Sequence, residues 1–186
     1  EMLRSLVGSE MCIRDRRLPA CIICGMNAVC LTGNRPHKLP FREGGREYEL
    51  LKERMRSAVV ELIGEGYTHF ITGMALGSDT WFAECVIDLM DVYPGIALEA
   101  AIPYAGQRDS LAAADRFRYD AILAKCEKVT VLGTEYTKYC MNKRNRYMVD
   151  NSDVVLVVLY SETGGTANTV AYARKKGKRI IDLSLR

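Results

Sequence analysis

Three segments of the sequence combine glycine with small polar residues, a composition suited to binding phosphate. They are residues 32–36, 72–79 and 161–169. Glycine has no Cβ, so backbone N–H groups can approach an anion closely, and the N-terminus of a following helix adds about half a positive charge. Arg35 could supply a bidentate charge. One such segment alone is more typical of a tight strand-to-helix turn, but three together predict a phosphate-binding site.

Two acidic residues in or after the second segment could take part in binding or reaction. Asp79 is expected to cap a helix or contact a ligand hydroxyl. Glu84 is the candidate acid or base if a reaction occurs, although a glutamate on a helix surface is usually only solvated. The five-residue spacing places them about 140° apart around a helix, so they do not form a catalytic carboxylate pair.

Other polar residues offer weaker signals. Lys143, Arg144 and Arg146 form a basic cluster that is either a solvated helix face or a group able to reach a phosphate. Tyr104, just beyond a predicted strand, could stack on a base or pack in its loop. Cys21 and Cys24 have the spacing of a metal or redox pair, but no second such pair follows, so neither a metal site nor a cofactor is expected.

Several familiar site motifs are missing from the sequence. It contains no GxGxxG and no GxSxG, and residues 73–78 lack the lysine of a P-loop. These absences argue against a standard NAD enzyme and a P-loop NTPase.

Short β-rich runs alternate with amphipathic helical segments from residue 28 onward. The predicted strands are 28–32, 69–72, 97–102, 128–132, 154–160 and 179–183. This alternation predicts an α/β fold: a single Rossmann-like domain, with a mostly parallel sheet of about six strands and helices on both faces. The glycine segments follow strands, so they should meet at the carboxyl edge of the sheet, where open α/β sheets bind ligands.

Helical spacing predicts the intervening helices. One covers residues 51–63, and a second begins at Ser78 as its cap. A third should begin at Asp109 or Ser110 and bury Phe117 and Ile122. A fourth runs over about 139–149, and the last follows residues 164–165 and ends before Gly177.

Length and composition limit the protein class. The chain has 186 residues and 26 basic against 23 acidic side chains, for a formal charge of +3. Neither broad nucleic-acid binding nor membrane adhesion is expected from such balanced charge. The longest apolar stretch, 18–31, is too short to span a bilayer. The odd number of cysteines, seven, indicates a reduced, cytoplasmic protein. Residues 1–27 lack helical or strand periodicity and are interpreted as a non-native or disordered leader before one domain at 28–186.

The ordered motifs resemble those of a known family. They are residues 32–36, residues 73–79 with Trp81 and Glu84, residues 103–104 with Gln107, residues 144–150 and residues 164–169. Their order over residues 29–183 is similar to that in the bacterial YpsA/YspA-like family of the SLOG superfamily. The resemblance implies a Rossmann-like fold that binds or senses a nucleotide or nucleotide-derived ligand through glycine-rich loops, and a homo-oligomer.

Relatives in the superfamily imply two alternative functions. LOG enzymes hydrolyse the N-glycosidic bond of nucleoside monophosphates, whereas DNA-processing protein A binds single-stranded DNA. Asn34 stands where the family commonly has histidine, which argues against a proton-transfer role for that position. Asn168 lies near the position of a LOG glutamate, and the missing carboxylate weakens the glycosidase alternative. That alternative predicts base release that is lost in Glu84→Gln. The DNA alternative predicts steeply salt-dependent binding through the basic cluster, which the near-neutral charge disfavours.

A set of residues is predicted to contact the ligand. Phosphate is assigned to the glycine-rich loops and Arg35, and ribose hydroxyls to Asp79. The full predicted set is Thr32, Gly33, Asn34, Arg35, Gly73, Gly77, Ser78, Asp79, Tyr104, Arg144, Asn145, Gly164, Gly165 and Thr166.

Overall fold

The computed structural model describes residues 27–185. The predictions for residues 1–26, which include most of the leader and the Cys21 and Cys24 pair, lie outside the described residues.

Six strands form one parallel sheet, as predicted. They are β1 (Ala28–Gly33), β2 (His69–Thr72), β3 (Ala97–Ile102), β4 (Lys128–Val131), β5 (Val154–Val158) and β6 (Arg179–Asp182). The strand order is β4-β3-β2-β1-β5-β6, and every neighbouring pair is parallel. β5 is shorter than predicted because the Tyr160 amide donates to the Asn34 side chain instead of continuing the strand.

Five α-helices connect the strands. They are α1 (Arg46–Gly64), α2 (Ser78–Met90), α3 (Ala113–Leu123), α4 (Cys140–Asp150) and α5 (Gly165–Lys175). Short 3-10 turns occupy Pro36–Lys38 and Ala105–Ser110. Gly177 follows α5 with φ of 66°, the left-handed conformation of a helix C-terminal glycine.

Alternating side chains of the strands build a core on each face of the sheet. Leu31 of β1 packs in the larger core, to which α1, α2 and α3 contribute. Cys30, which precedes Leu31 in β1, packs on the opposite face of the sheet with Met148 of α4 and Val170 of α5. This two-residue period confirms helices on both faces of the sheet.

Three details of the helix predictions are wrong. Asp109 and Ser110 belong to a 3-10 turn, and α3 begins at Ala113. Phe117 is 80% exposed, because α3 buries Tyr119 and Ile122 on a different side. Ser78 is not the cap of α2: Gly77 holds that position with φ of 90°, and the Ser78 hydroxyl donates to the Asn34 carbonyl at 3.0 Å.

None of the helices within residues 27–185 is long and apolar enough to cross a membrane. Cys30, Cys85, Cys126 and Cys140 are free thiols.

Candidate functional site

A cleft opens at the centre of the sheet, where the strand order reverses. β1 and β5 are neighbours there, and the helices α1 and α5 that follow them lie on opposite faces. Open α/β sheets bind ligands in such a crevice. This switch-point cleft has a volume of about 340 Å³. It is lined by Leu31, Thr32, Gly33, Asn34, Arg35, His37, Lys38, Ala75, Asp79, Met141, Arg144, Asn145, Gly165 and Thr166.

Asn34 holds the end of β1 against neighbouring elements through three hydrogen bonds. Its N–H donates to the Val158 carbonyl at 3.0 Å, and its Oδ1 accepts the Tyr160 N–H at 2.7 Å. Its carbonyl accepts the Ser78 hydroxyl. The side chain is almost fully buried. Asn34 therefore fixes one wall of the cleft by joining β1, β5 and α2.

The glycines of the second segment admit neighbouring protein groups. A Cβ on Gly77 would lie 2.7 Å from Pro36 Cδ, and a Cβ on Gly73 would collide with the Arg144 guanidinium. Gly33, which lines the cleft, likewise has no room for a Cβ, because the Ser78 side chain lies against it. Gly73, Gly77 and Ser78 are not among the lining residues, so this segment supports the cleft from behind. Their assignment to phosphate stays a prediction.

Cationic side chains and a helix N-terminus border the switch-point cleft. Arg35, His37 and Lys38 lie exposed in the loop after β1. Gly165 and Thr166 form the first turn of α5, whose N-cap, Gly164, makes no side-chain capping bond. Helix N-termini without a side-chain cap leave backbone donors for an anion.

The loop after β1 also contacts the start of α5 directly. A Cβ on Gly164 would lie 3.0 Å from Lys38 Nζ, and the Thr166 hydroxyl donates to the Gly33 carbonyl at 3.0 Å. The Lys38 ammonium group and the N-terminus of α5 therefore lie at the same cleft. This geometry suits a phosphate group.

A buried ion pair lies at the inner end of the cleft. Asp79 Oδ2 and Arg144 Nη1 are 3.4 Å apart, and each residue is 5% exposed. Arg144 also donates to the Gly73 carbonyl, and Asp79 accepts the Ala75 N–H at 3.4 Å. Burial raises the pKa of Asp79, with Arg144 as the largest opposing influence. Burial likewise lowers the pKa of Arg144, but a guanidinium stays protonated in proteins.

Arg144 retains an unused donor within the described structure. Its Nε is buried and has no hydrogen-bond partner there. Its neighbour Asn145 donates to the Thr169 hydroxyl at 2.7 Å, which joins α4 to α5 along the cleft. The basic cluster is therefore divided: Arg144 is buried beside the cleft, whereas Lys143 and Arg146 are exposed.

Two of the predicted site residues lie away from this cleft. Glu84 Oε2 accepts from Arg118 Nη2 at 2.6 Å, an ion pair that raises the pKa of Arg118. Tyr104 packs edge-on against Tyr136, with ring centroids 5.5 Å apart. Neither Glu84 nor Tyr104 lines the cleft. The acid or base role of Glu84 stays a prediction, and the cleft geometry does not support it.

The sequence pattern did not identify every lining residue. Lys38 lies only three residues after Arg35, so its position in the same loop was a usable signal. Nothing in the sequence marks Met141 or Ala75 as a lining residue, because neither has a charged or hydrogen-bonding side chain. Only the packing of α4 against the loops brings them to the cleft. Within residues 27–185, no three His, Cys, Asp or Glu side chains are grouped to hold a metal ion.

A polar groove between α4 and α5 adjoins the switch-point cleft through Asn145. Its volume is about 550 Å³, and Arg146, Lys175 and Asn168 are among its lining residues. The Arg146 guanidinium lies 5.4 Å from the centre of the Tyr172 ring. This α4–α5 groove is the larger of the two spaces, but it lacks a buried ion pair and a helix N-terminus.

Comparison with models of protein families shows the family to which the chain belongs. The model of the YspA SLOG family matches residues 29–182, which is nearly all of the described chain. The chain belongs to the YspA SLOG family. This confirms the resemblance seen in the ordered motifs and the single Rossmann-like domain expected from it.

The SLOG family protein is similar to curated bacterial proteins across most of its length. It is 29% identical over 154 residues to a UPF0398 protein of Halalkalibacterium halodurans, covering 81% of this chain and 82% of that one. It is 25% identical over 158 residues to a UPF0398 protein of Bacillus thuringiensis strain Al Hakam, covering 83% and 86%. The names of these relatives state no activity.

Two solved structures share its fold. DNA processing protein A from Streptococcus pneumoniae superposes with a TM-score of 0.58 at 17% identity, covering 83% of this chain. The SLOG family protein spans about half (49%) of that chain's length. DNA processing protein A from Helicobacter pylori, described with a single-stranded DNA binding mode, superposes at 0.59 and 17% identity, covering 86% of this chain and 66% of that one.

Proposed function

We propose that this protein binds a nucleotide or nucleotide-derived ligand in the switch-point cleft. The observation that carries the proposal is the arrangement of Arg35, Lys38 and the uncapped start of α5 around one cleft at the strand-order reversal. Arg35 and Lys38 would neutralise the phosphate charge. The amides of Gly165 and Thr166 would donate to its oxygens.

Asp79 and Arg144 complete the proposed site. Asp79 is the only carboxylate among the residues that line the cleft, so we assign it to the ribose hydroxyls. Arg144 holds Asp79 in place and offers its Nε as a donor to an acceptor of the ligand. An acidic group beside a phosphate site would otherwise repel the ligand, and the paired guanidinium removes that repulsion.

Calorimetric titration with nucleotides tests the proposal. The panel comprises nucleoside mono-, di- and triphosphates, ADP-ribose, NAD and cyclic dinucleotides. We expect Arg35→Ala and Gly165→Asp each to weaken a bound member by about tenfold or more, through loss of a charge-assisted bond or addition of a negative charge. Both variants should fold, because Arg35 is exposed and the space around Gly165 is open.

Arg42→Ala is the matched control, since Arg42 is an exposed arginine of the same loop that does not line the cleft. Equal loss of affinity in Arg42→Ala and Arg35→Ala would overturn the assignment of the cleft. Absence of binding by any member of the panel to the folded protein would overturn the function itself.

Single-stranded DNA is the second candidate ligand, favoured by the α4–α5 groove. Arg146 and Lys175 border this groove, and the Helicobacter pylori protein of the same fold is described as binding single-stranded DNA. If DNA binds here, affinity for a fluorescent oligothymidylate should fall steeply with NaCl, and Arg146→Ala with Lys175→Ala should reduce that slope. Affinity that is independent of salt, or unchanged in the double variant, would exclude this groove.

We also propose a cytoplasmic location and a homo-oligomeric state. The free thiols of Cys30, Cys85, Cys126 and Cys140 support a reducing compartment. Cell fractionation tests the location, and light scattering on a sizing column tests the oligomeric state. Recovery outside the cytoplasm, or a monomeric mass, would contradict the respective proposal.

A further inference from the structure

A smaller cavity lies directly beside the switch-point cleft. Its volume is about 190 Å³, room for about six waters at roughly 30 Å³ each. It shares Arg35, Ala75 and Met141 with the cleft. The remaining lining residues are Met74, Leu76, Gln107, Ser110 and Leu111. A single ligand can therefore place its phosphate in the cleft and an apolar ring in this side cavity.

Gln107 is one of the residues that line the side cavity, and its side-chain amide is only partly used. It is 5% exposed, and its Nε2 donates to the Met74 carbonyl at 3.0 Å. A carbonyl only accepts, so this bond fixes which end of the amide is nitrogen. The other end, Oε1, is buried and has no hydrogen-bond partner in the described structure. A buried acceptor without a donor carries a free-energy cost that a donor on a ligand would remove.

The backbone at Met74 explains why Gln107 is held there. Met74 has φ of 55°, in the left-handed region, and is fully buried. Its N–H donates to the Thr72 hydroxyl at 3.3 Å, and its carbonyl accepts from Gln107. Strained backbone of this kind persists where surrounding bonds fix it, commonly at binding sites. Met141, the other methionine of the side cavity, has the unbranched, flexible type of side chain that adapts to rings.

We infer that the side cavity takes the base of the nucleotide, and that Gln107 Oε1 accepts a hydrogen bond from the base's exocyclic amino group. This rests on the proposed function and names its ligand class: a nucleotide with an amino-bearing base such as adenine or cytosine. Arg35, which borders both spaces, can lie flat on the ring. Hypoxanthine and uracil present a carbonyl oxygen at the equivalent position, which would face Oε1 unfavourably.

Two matched nucleotide pairs test this inference: AMP with IMP, and CMP with UMP. The amino member of at least one pair should bind the unaltered protein about tenfold more tightly or better, because its partner leaves Oε1 unpaired. Gln107→Met keeps the side-chain length and removes the acceptor, so the affinity ratio within that pair should fall to about one. Asn151→Met replaces an amide outside both spaces and should leave the ratio unchanged.

The outcomes separate this inference from the proposed function. Equal binding of both members of each pair overturns the role of Gln107 and leaves nucleotide binding intact. A ratio that persists in Gln107→Met, with both affinities reduced, shows that Gln107 only supports Met74 and also overturns the inference. No binding of any of the four nucleotides overturns the inference alone, because the proposed function falls only if no member of the wider panel binds the folded protein.

Discussion

Asp79 and Arg144 show how the identity of single residues shapes the site. Arg144 sits in a basic run that resembles a solvated helix face, yet it is buried against a carboxylate. A buried charge requires a partner, because removing it from water costs several kcal/mol. The pair therefore stabilises the inner end of the cleft only while both members are present.

We expect Arg144→Met to lower the free energy of unfolding by about 3–5 kcal/mol, because Asp79 would remain buried without its cation. Adding Asp79→Asn should restore part of this loss by removing the uncompensated charge. Urea unfolding measures both effects. Arg146→Met, an exposed arginine of the same helix, is the control and should change little. The ion-pair account is contradicted if the two arginine substitutions cost the same.

Residue type alone did not reveal which glycines border the cleft. The sequence predicted phosphate contacts for Gly73, Gly77 and Gly165 alike. In the structure, Gly165 borders the cleft, whereas Gly73 and Gly77 make room for Arg144 and Pro36. Both uses require a residue without a side chain, so the sequence signal is identical. Only the tertiary placement of α4 and the loop after β1 distinguishes them.

At the scale of elements, the loop after β1 and the start of α2 pack as one unit. Gly77 caps α2 with φ of 90°, and Pro36 of the 3-10 turn lies against it. The next helical residue, Ser78, donates to the Asn34 carbonyl. The position of Arg35 and Lys38 thus depends on the fit between this turn and α2.

Gly77→Ala should destabilise the protein more than Gly95→Ala does. Both glycines have φ near +100°, so both alanine variants carry a conformational cost of about 1 kcal/mol. Only at Gly77 would the new Cβ also meet Pro36, whereas the space around Gly95 is open. Overpacking adds about 1–3 kcal/mol. Equal midpoints of urea unfolding for the two variants would show that this contact does not fix the turn.

The elements themselves were largely predictable. β2 and β3 have their predicted bounds, because both are short apolar runs ended by turn residues. The third helix was misplaced because residues 105–110 form a 3-10 turn, which the apolar spacing does not distinguish from a first α-helical turn. The predicted burial of Phe117 was wrong for the same reason, because it assumed a helix that begins earlier and faces the core with a different side.

At the scale of the whole molecule, one buried carboxylate joins three strands and a helix. Glu99 of β3 accepts from His69 at 2.7 Å and from Thr130 and Tyr147 at 2.6 Å. Burial alone raises the pKa of Glu99. Hydrogen bonds from these groups and from Lys128 outweigh burial and lower the pKa to about 2. Glu99 therefore stays ionised in the folded protein under conditions that protonate it in the unfolded chain.

This pKa predicts how unfolding depends on pH. A carboxyl group whose pKa falls from 4.5 to about 2 on folding contributes about 3 kcal/mol above pH 4.5, and that contribution is lost as the pH falls toward 2. Glu99→Gln should lower stability at pH 7 and flatten the fall between these values. Glu127→Gln, an exposed glutamate just before β4, is the control. An unchanged acid limb in Glu99→Gln would contradict this role.

The overall architecture followed from the sequence more readily than the site did. Alternating strands and helices predict a parallel sheet, and the glycine segments predict its ligand-binding edge. The strand-order reversal between β1 and β5 is what selects one cleft along that edge, and no local pattern encodes it. Glu84, the predicted acid or base, pairs with Arg118 and does not line that cleft, so its role stays a prediction.

A nuclear magnetic resonance titration of the ¹⁵N-labelled protein with a nucleotide that binds it tests the location of the site most directly. The account predicts saturable shifts concentrated at the amides of Gly33, Asn34, Arg35, Gly165 and Thr166, which lie on the two sides of the switch-point cleft. Shifts confined to Asn168 and Lys175 of the α4–α5 groove, or spread evenly over the surface, would contradict it.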